Sequence, residues 1–410
     1  MKLDLTAIRN NFPLLQQTIE GSPLIYLDNA ATTQLPEPVL DCIVEHYTRY
    51  NGNVHRGAHR LSQLSTAHLE QARATVAAFL GASSPASIIF TSGATASINL
   101  VALAYCRQFL QSGDEILVTD MEHHSNYLPW LRACRRYGAK LKLIPVSPDG
   151  TLSLPMIEQL LTKRSRLFAV THVSNVLGTI NPIEEIVRLC HAAGVPVLVD
   201  GAQAVREVPV NVAELDVDFY CFSGHKLLAP TGIGVLYLKQ KWLDILEPVF
   251  LGGGMVQGLE NHEFLLDRPP LRFEAGTPNY AGAIALGHAI GYLQEIGRED
   301  IADRERRLNA KLRSLLVSTA GVSLLPCGAA HTGCVSFVTG HAHAYDVAML
   351  LDSMGIAIRS GHHCALPLHE SLGLEGSLRV SPAFYNTEEE LLRFQQALER
   401  ALSLLLAGTV

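Results

Sequence analysis

Short apolar runs that close on a polar residue recur through the first two thirds of the chain, and they set the expected fold. Ile88-Ile89-Phe90-Thr91, Glu115-Ile116-Leu117-Val118-Thr119 and Leu141-Lys142-Leu143-Ile144-Pro145-Val146 are strand candidates. So are Leu167-Phe168-Ala169-Val170-Thr171, Val195-Pro196-Val197-Leu198-Val199 and Phe219-Tyr220-Cys221-Phe222-Ser223. Several are apolar without alternation, the pattern of parallel strands covered on both faces. Thr231 to Lys239 follows closely and reads as another strand of the same sheet. Helical stretches lie between the runs. "PIEEIVRLCHAAG", with Gly194 as its cap, suits a right-handed crossover. From Tyr280 a longer helix, "NYAGAIALGHAIGYLQEIG", leads to a region mixing strands (Cys334 to Thr339, Leu378 to Val380) with helices. The last helix opens at "NTEEEL", where Thr387 and Glu390 have the spacing of a capping box. The pattern predicts an α/β protein: a large domain with a mainly parallel, seven-stranded sheet flanked by helices, plus a smaller α+β domain. The expected boundaries are 1–25 for an N-terminal segment packing on the small domain, 26–290 for the large domain and 291–410 for the small one.

Composition narrows the function. The chain has 410 residues, 48% hydrophobic and 17% charged, enough for a sizeable core. A net charge of −7 without a long basic run argues against nucleic acid or a membrane surface as partner. No apolar run reaches the ~18 residues that span a bilayer, and "MKLDLTAIRNNFPLL" lacks the continuous apolar stretch of a secretory signal. The eight cysteines are scattered and form no CxxC, as expected of reduced thiols in a cytoplasmic protein.

The strand at Phe219 runs into Gly224-His225-Lys226, and burying an ammonium is costly. In parallel α/β sheets ligands bind beyond the carboxyl ends of the strands, where three polar sets are expected. "TSGATASINL" puts Gly93 and Thr95 between a strand and a helix, offering N–H groups and a hydroxyl to a phosphate. "VLVDGAQA" sets Asp200 at a strand end with Gln203 just beyond, and "FSGHK" offers Ser223, His225 and Lys226. Taken singly, Asp200 reads as a helix cap or salt-bridge partner, and the first motif as an ordinary capped helix. Together they match the needs of pyridoxal 5'-phosphate: a lysine amine to condense with its aldehyde, a carboxylate for its pyridine nitrogen, and a phosphate cradle.

On these residues the chain resembles the class V aminotransferase group, specifically cysteine desulfurases and selenocysteine lyases of the SUF-type branch, enzymes of fold type I. The resemblance runs in order from "YLDNAATTQLP" through "NGNVHRGAHRLS", "EHHSNYLPW", "SNVLGTINPI", "VDGAQA" and "FSGHKLLAPTGIGVLY" to "RFEAGTPN", "RSGHHCALPL" and "LRVSPAFYNTEEEL". It implies that Lys226 is the cofactor lysine, Asp200 the pyridinium partner and Gln203 the donor to the phenolic oxygen. His123 is similar to the histidine that stacks on the ring and that the resemblance makes a catalytic residue in proton transfer, and Thr95, Ser223 and His225 to phosphate contacts. Thr277 resembles a residue that reaches the partner subunit's cofactor, implying a homodimer. Asn175 and Arg379 match holders of the substrate carboxylate, a task suited to a forked guanidinium. Ser92, Ala94, Ala96, Leu228, Ala229 and Leu366 depart from the family pattern.

"RSGHHCALPL" supplies a second reactive residue. Gly361 and two histidines suggest a turn that exposes Cys364, whose thiolate is a nucleophile for a substrate sulfur. A metal site built from His362, His363 and Cys364 with His123 and His124 is disfavoured, because three adjacent residues do not converge on one ion. His341 and His343 read as a solvated loop. The resemblance implies conversion of L-cysteine, or L-selenocysteine, to L-alanine. The sulfur would pass through Cys364 to a SufE-like acceptor protein for iron–sulfur cluster assembly. Two rivals are another enzyme of the same scaffold, which would not need Cys364, and a non-catalytic persulfide or metal carrier.

Overall fold

The computed structural model describes residues 3–407. Seven strands form its main sheet: β1 (Ile88–Thr91), β2 (Glu115–Thr119), β3 (Lys140–Ile144), β4 (Ser165–Thr171), β5 (Val197–Asp200), β6 (Phe219–Ser223) and β7 (Gly234–Leu238). They lie in the order β1-β7-β6-β5-β4-β2-β3. Strand β7 runs antiparallel to both neighbours, and the other pairings are parallel. Six carboxyl ends therefore share one edge.

The unbroken apolar runs have a direct explanation. In β4, Leu167 and Ala169 point into one core while Phe168 and Val170 point into the other. In β6, Phe219 and Cys221 alternate in the same way with Tyr220 and Phe222. Side chains alternate across a strand, so a sheet with two buried faces needs an apolar residue at every position.

One face is covered by α1 (Ala94–Phe109) among others, the opposite one by the helix Arg60–Phe79 and by α2 (Tyr280–Ile296). Gly287 of α2 lies against Ala72, where an added Cβ would sit 3.1 Å from the alanine Cβ. The expected junction at residue 290 falls inside α2. The chain continues through Gly297, at φ 100°, directly into α3 (Arg298–Ser318). Beyond it β8 (Val322–Leu324), β9 (Val335–Thr339), β10 (Arg359–Gly361) and β11 (Ser377–Val380) make an antiparallel sheet in the order β8-β9-β11-β10. It packs with α3 and α4 (Glu388–Ala407) around a third core. The capping box is present: Thr387 N–H donates to Glu390 Oε2 at 2.9 Å, and Glu390 N–H to Thr387 Oγ1 at 3.1 Å.

The N-terminal segment ties the two sheets together. Phe12 is buried against Tyr292, Phe384 and Tyr385, and Arg9 pairs with Glu390 at 2.5 Å. Ile25–Tyr26 then pairs in parallel with Ile356–Ala357, and Leu27 joins the small-sheet core before the chain enters the larger layer. Among the described residues no helix is long and apolar enough to cross a membrane.

Candidate active site

A cavity of about 270 Å³ opens at the shared carboxyl edge of the main sheet. Its lining includes Thr95, His123, Asn175, Asp200, Gln203 and Ser223, together with His225, Lys226, Cys364 and Arg379. Of the residues expected from the sequence only Thr277 stands outside it, exposed on the loop after Glu274.

Strands β5 and β6 set Asp200 and Lys226 in place. Asp200 ends β5 beside Thr171 of β4 and is buried. Burial raises its carboxyl above the usual range, while the Ala202 N–H, at 3.0 Å, and the charge of Lys226 pull the other way. Lys226 closes a short turn (Gly224–Lys226) after β6. Desolvation lowers its amine to about 8, opposed by the negative charge of Asp200 and assisted by Arg379 and Arg359. Burial first, then the charge of Lys226, holds His123 down at about 3 and His225 at about 4. Both imidazoles are neutral at physiological pH. Gln203 Nε2 donates to the carbonyl of Ala30 at 2.7 Å.

The cavity meets the start of α1 at Ala94 and Thr95. Ala94 N–H donates to Ser223 Oγ at 2.8 Å, and Thr95 Oγ1 lies 2.6 Å from Ser125 Oγ. A helix start leaves its first N–H groups without helical partners, so they suit an anion. The close approach requires glycine twice. Gly93 has φ 154°, and a Cβ on Gly234 would lie 2.4 Å from the Gly93 Cα. Of the departures from the family pattern here, Ala94 is buried and lines the cavity. Lysine, aspartate, glutamine and hydroxyl–amide cradle form a donor set that fits pyridoxal phosphate.

On the opposite wall Arg379 Nη1 donates to Asn175 O at 2.9 Å, and Asn175 Nδ2 to the carbonyl of His363 at 2.8 Å. Arg379 Nε is buried without a partner. Cys364 is exposed, whereas six of the other cysteines are buried and Cys327 is half-buried. His363 and Cys364 both occupy the left-handed region, at φ 51° and 58°, a conformation that costs non-glycine residues about 1–3 kcal/mol each. Contacts with neighbouring elements hold it: His124 N–H donates to the Cys364 carbonyl at 2.7 Å, and Leu366 N–H to His124 Nε2 at 3.2 Å. Leu366, another departure, is 38% exposed two residues beyond Cys364. Among the described residues no three histidine, cysteine or carboxylate side chains converge as metal ligands.

Sequence reasoning passed over several supporting residues. Asp28 is shared by two guanidinium groups, Arg359 Nη2 at 2.9 Å and Arg379 Nη2 at 3.1 Å. Its signal was a charged residue closing the apolar run "LIYLD". Glu122, beside His123, is fully enclosed. It accepts from Thr119 Oγ1 at 2.7 Å, Asn126 Nδ2 at 2.6 Å and Thr171 N–H at 2.9 Å. Burial pushes its carboxyl up to about 8 against those donors. Nothing in "EHHSNYLPW" distinguishes this glutamate from a surface one before the fold is known.

An open parallel sheet with a buried aspartate and a depressed lysine at its carboxyl edge defines the class, an α/β enzyme that works with pyridoxal phosphate. The chain belongs to the class V aminotransferase family, described as "Aminotransferase class-V", whose pattern matches residues 25–394. A relative named cysteine desulfurase from Cronobacter sakazakii is 46% identical over 99% of this chain and 100% of its own length. A probable cysteine desulfurase of Vibrio cholerae is 44% identical over 99% and 100%. Among solved structures, the apo cysteine desulfurase of Thermococcus onnurineus superposes with a TM-score of 0.92 at 40% identity, covering 98% of each chain. An Escherichia coli cysteine desulfurase in an S-sulfonic acid form gives 0.91 at 38% identity, covering 98% of this chain and 99% of its own.

Proposed function

We infer that this chain is a pyridoxal-phosphate-dependent cysteine desulfurase that converts L-cysteine to L-alanine and takes the sulfur onto Cys364 as a persulfide. One observation carries the reading: Lys226, Asp200 and Cys364 line a single cavity. Lys226 and Asp200 alone would serve many reactions, and an exposed thiol facing them selects sulfur transfer.

Thr95, Ser223, His225 and the first N–H groups of α1 would hold the cofactor phosphate, Gln203 its phenolic oxygen, Asp200 its ring nitrogen and His123 its face. When bound, pyridoxal phosphate supplies an aldehyde that condenses with amines and a ring that withdraws electrons from the substrate α-carbon. Arg379 and Asn175 take the substrate carboxylate, and Asp28 orients Arg379 for it. Lys226 Nζ, neutral in part near pH 8, moves the α-proton. Cys364 Sγ then attacks the substrate sulfur. The new S–S bond forms as the C–S bond breaks, the electron pair stays with carbon, and a proton completes the methyl group of alanine. The thiol and L-cysteine thus become the persulfide and L-alanine, with atoms and electrons balanced.

In this reading the large domain (26–290) carries Lys226 and the small domain (291–410) carries Cys364. The protein works as a homodimer, with Thr277 reaching the partner's cofactor, and passes sulfur to a SufE-like acceptor for iron–sulfur cluster assembly in the cytoplasm. Exposure of Thr277 and Cys364, and eight unpaired cysteines, support these assignments. The test adds L-cysteine to the yellow purified protein and follows alanine and the mass of the Cys364 peptide. Wild type is expected to form both products, and Cys364→Ala to keep the chromophore but lose sulfur transfer at least a hundredfold. Undiminished turnover in that variant would sink the reading.

A further inference from the structure

Behind Cys364 lies a buried chain of hydrogen bonds whose direction is fixed by chemistry. His369 Nδ1 lies 3.0 Å from the carbonyl oxygen of Ala365. A carbonyl only accepts, so Nδ1 carries the proton. In a neutral imidazole the other nitrogen is then an acceptor, and His369 Nε2 lies 3.0 Å from Ser377 Oγ. The serine hydroxyl has one proton and must direct it there. Its oxygen is left to accept from His363 Nε2, also at 3.0 Å. His363 is therefore protonated at Nε2, and its Nδ1 is a bare lone pair. That atom is buried without a partner, on a residue that lines the cavity and immediately precedes Cys364.

Neutrality of both rings is consistent with their surroundings. His369 is buried, and its imidazole is depressed by burial and by His362. His363 faces the charges of Arg379 and Arg359 in addition to its burial, which together bring it to about 2. Ser377 itself is fully buried on β11, two residues before Arg379.

We propose that Ser377 and His369 are positioning residues for sulfur transfer. By fixing the tautomer and ring of His363 they hold the left-handed His363–Cys364 step. The loop's backbone is gripped from the large layer by Asn175 and His124, and the His363 ring is anchored to the small sheet through Ser377. This inference rests on the desulfurase reading for its chemistry, though not for its geometry.

The geometry is tested on the unaltered holoenzyme by neutron diffraction from deuterium-exchanged crystals. Deuterium is expected on His369 Nδ1 and His363 Nε2 and absent from His363 Nδ1, and deuterium on His363 Nδ1 would overturn the proposal. The role is tested with Ser377→Ala and His369→Gln, the latter keeping an acceptor for the serine. Ser377→Ala is expected to lower kcat for alanine formation about tenfold with KM within twofold, whereas His369→Gln stays within threefold of wild type. Equal losses in the two variants, or an unchanged kcat in Ser377→Ala, would overturn it. If the neutron map is as expected but the wild-type protein makes no alanine from L-cysteine, the desulfurase reading fails, not the hydrogen-bond chain.

Discussion

Burial weakens the hold of Lys226 on its proton until half the amine is neutral near pH 8. Only the neutral amine condenses with an aldehyde, so uptake of pyridoxal phosphate by the apoprotein should accelerate as pH rises through about 8 and then level off. Stopped-flow absorbance checks this, and a rate still climbing steadily to pH 10 would contradict it. The stability sign follows from the same displacement. Between about 8 and the ordinary 10.5 the unfolded chain keeps the proton that the folded chain has lost, so this residue's contribution rises with pH across that window. Glu122 presents the opposite problem, an acid enclosed among donors. Glu122→Ala would leave the Thr119 hydroxyl, the Asn126 amide and the Thr171 N–H without their acceptor, at about 1–3 kcal/mol for each unsatisfied group. A loss of about 3 kcal/mol or more in urea unfolding is expected, together with weakened cofactor retention through the displaced His123. A loss below 1 kcal/mol would show that water replaces the carboxylate.

Single elements differ in how much of them the sequence declares. Continuous apolar runs announced the central main-sheet strands, because burial on both faces leaves little room for polar residues, whereas the edge strand β3, with its two lysines, was read from alternation. The capping box of α4 was equally legible, since it is local. Asp28, Glu122 and Ser377 were not, because their partners lie on other elements and one sequence contains no distances. Glu274 shows the same blindness. It accepts from Arg73 Nη1 at 2.7 Å and Nη2 at 3.0 Å, and from Phe90 N–H at 2.6 Å, pinning the Thr277 loop to the helix Arg60–Phe79 and to β1. Removing one member of a buried ion pair costs about 3–5 kcal/mol, because the other charge stays buried. Glu274→Ala should fall at the low end of that range, since Glu70 also contacts Arg73. Chemical denaturation measures it, and a cost under 1 kcal/mol would mean that Arg73 finds water.

For the whole molecule, the site is assembled from two sheets: Lys226 comes from the turn after β6 and Cys364 from the loop between β10 and β11. Residues 9–27 strap the layers together through Arg9, Phe12 and the strand Ile25–Tyr26. The proposed dimer adds a third contribution. Thr277→Ala is expected to leave the dimer mass unchanged in sedimentation while weakening cofactor retention severalfold in equilibrium dialysis. Unchanged retention would remove the cross-subunit role.

The distribution of thiols has a further practical meaning. Seven sulfhydryls are partly or wholly shielded by the fold, so only one is freely presented to reagents or to a visiting protein. Sulfane cargo would therefore be countable on the intact polypeptide by weighing it. Each turnover without a recipient should thicken a single peak series rather than scatter adducts along the chain, and the first recipient to dock should return that series to its starting mass.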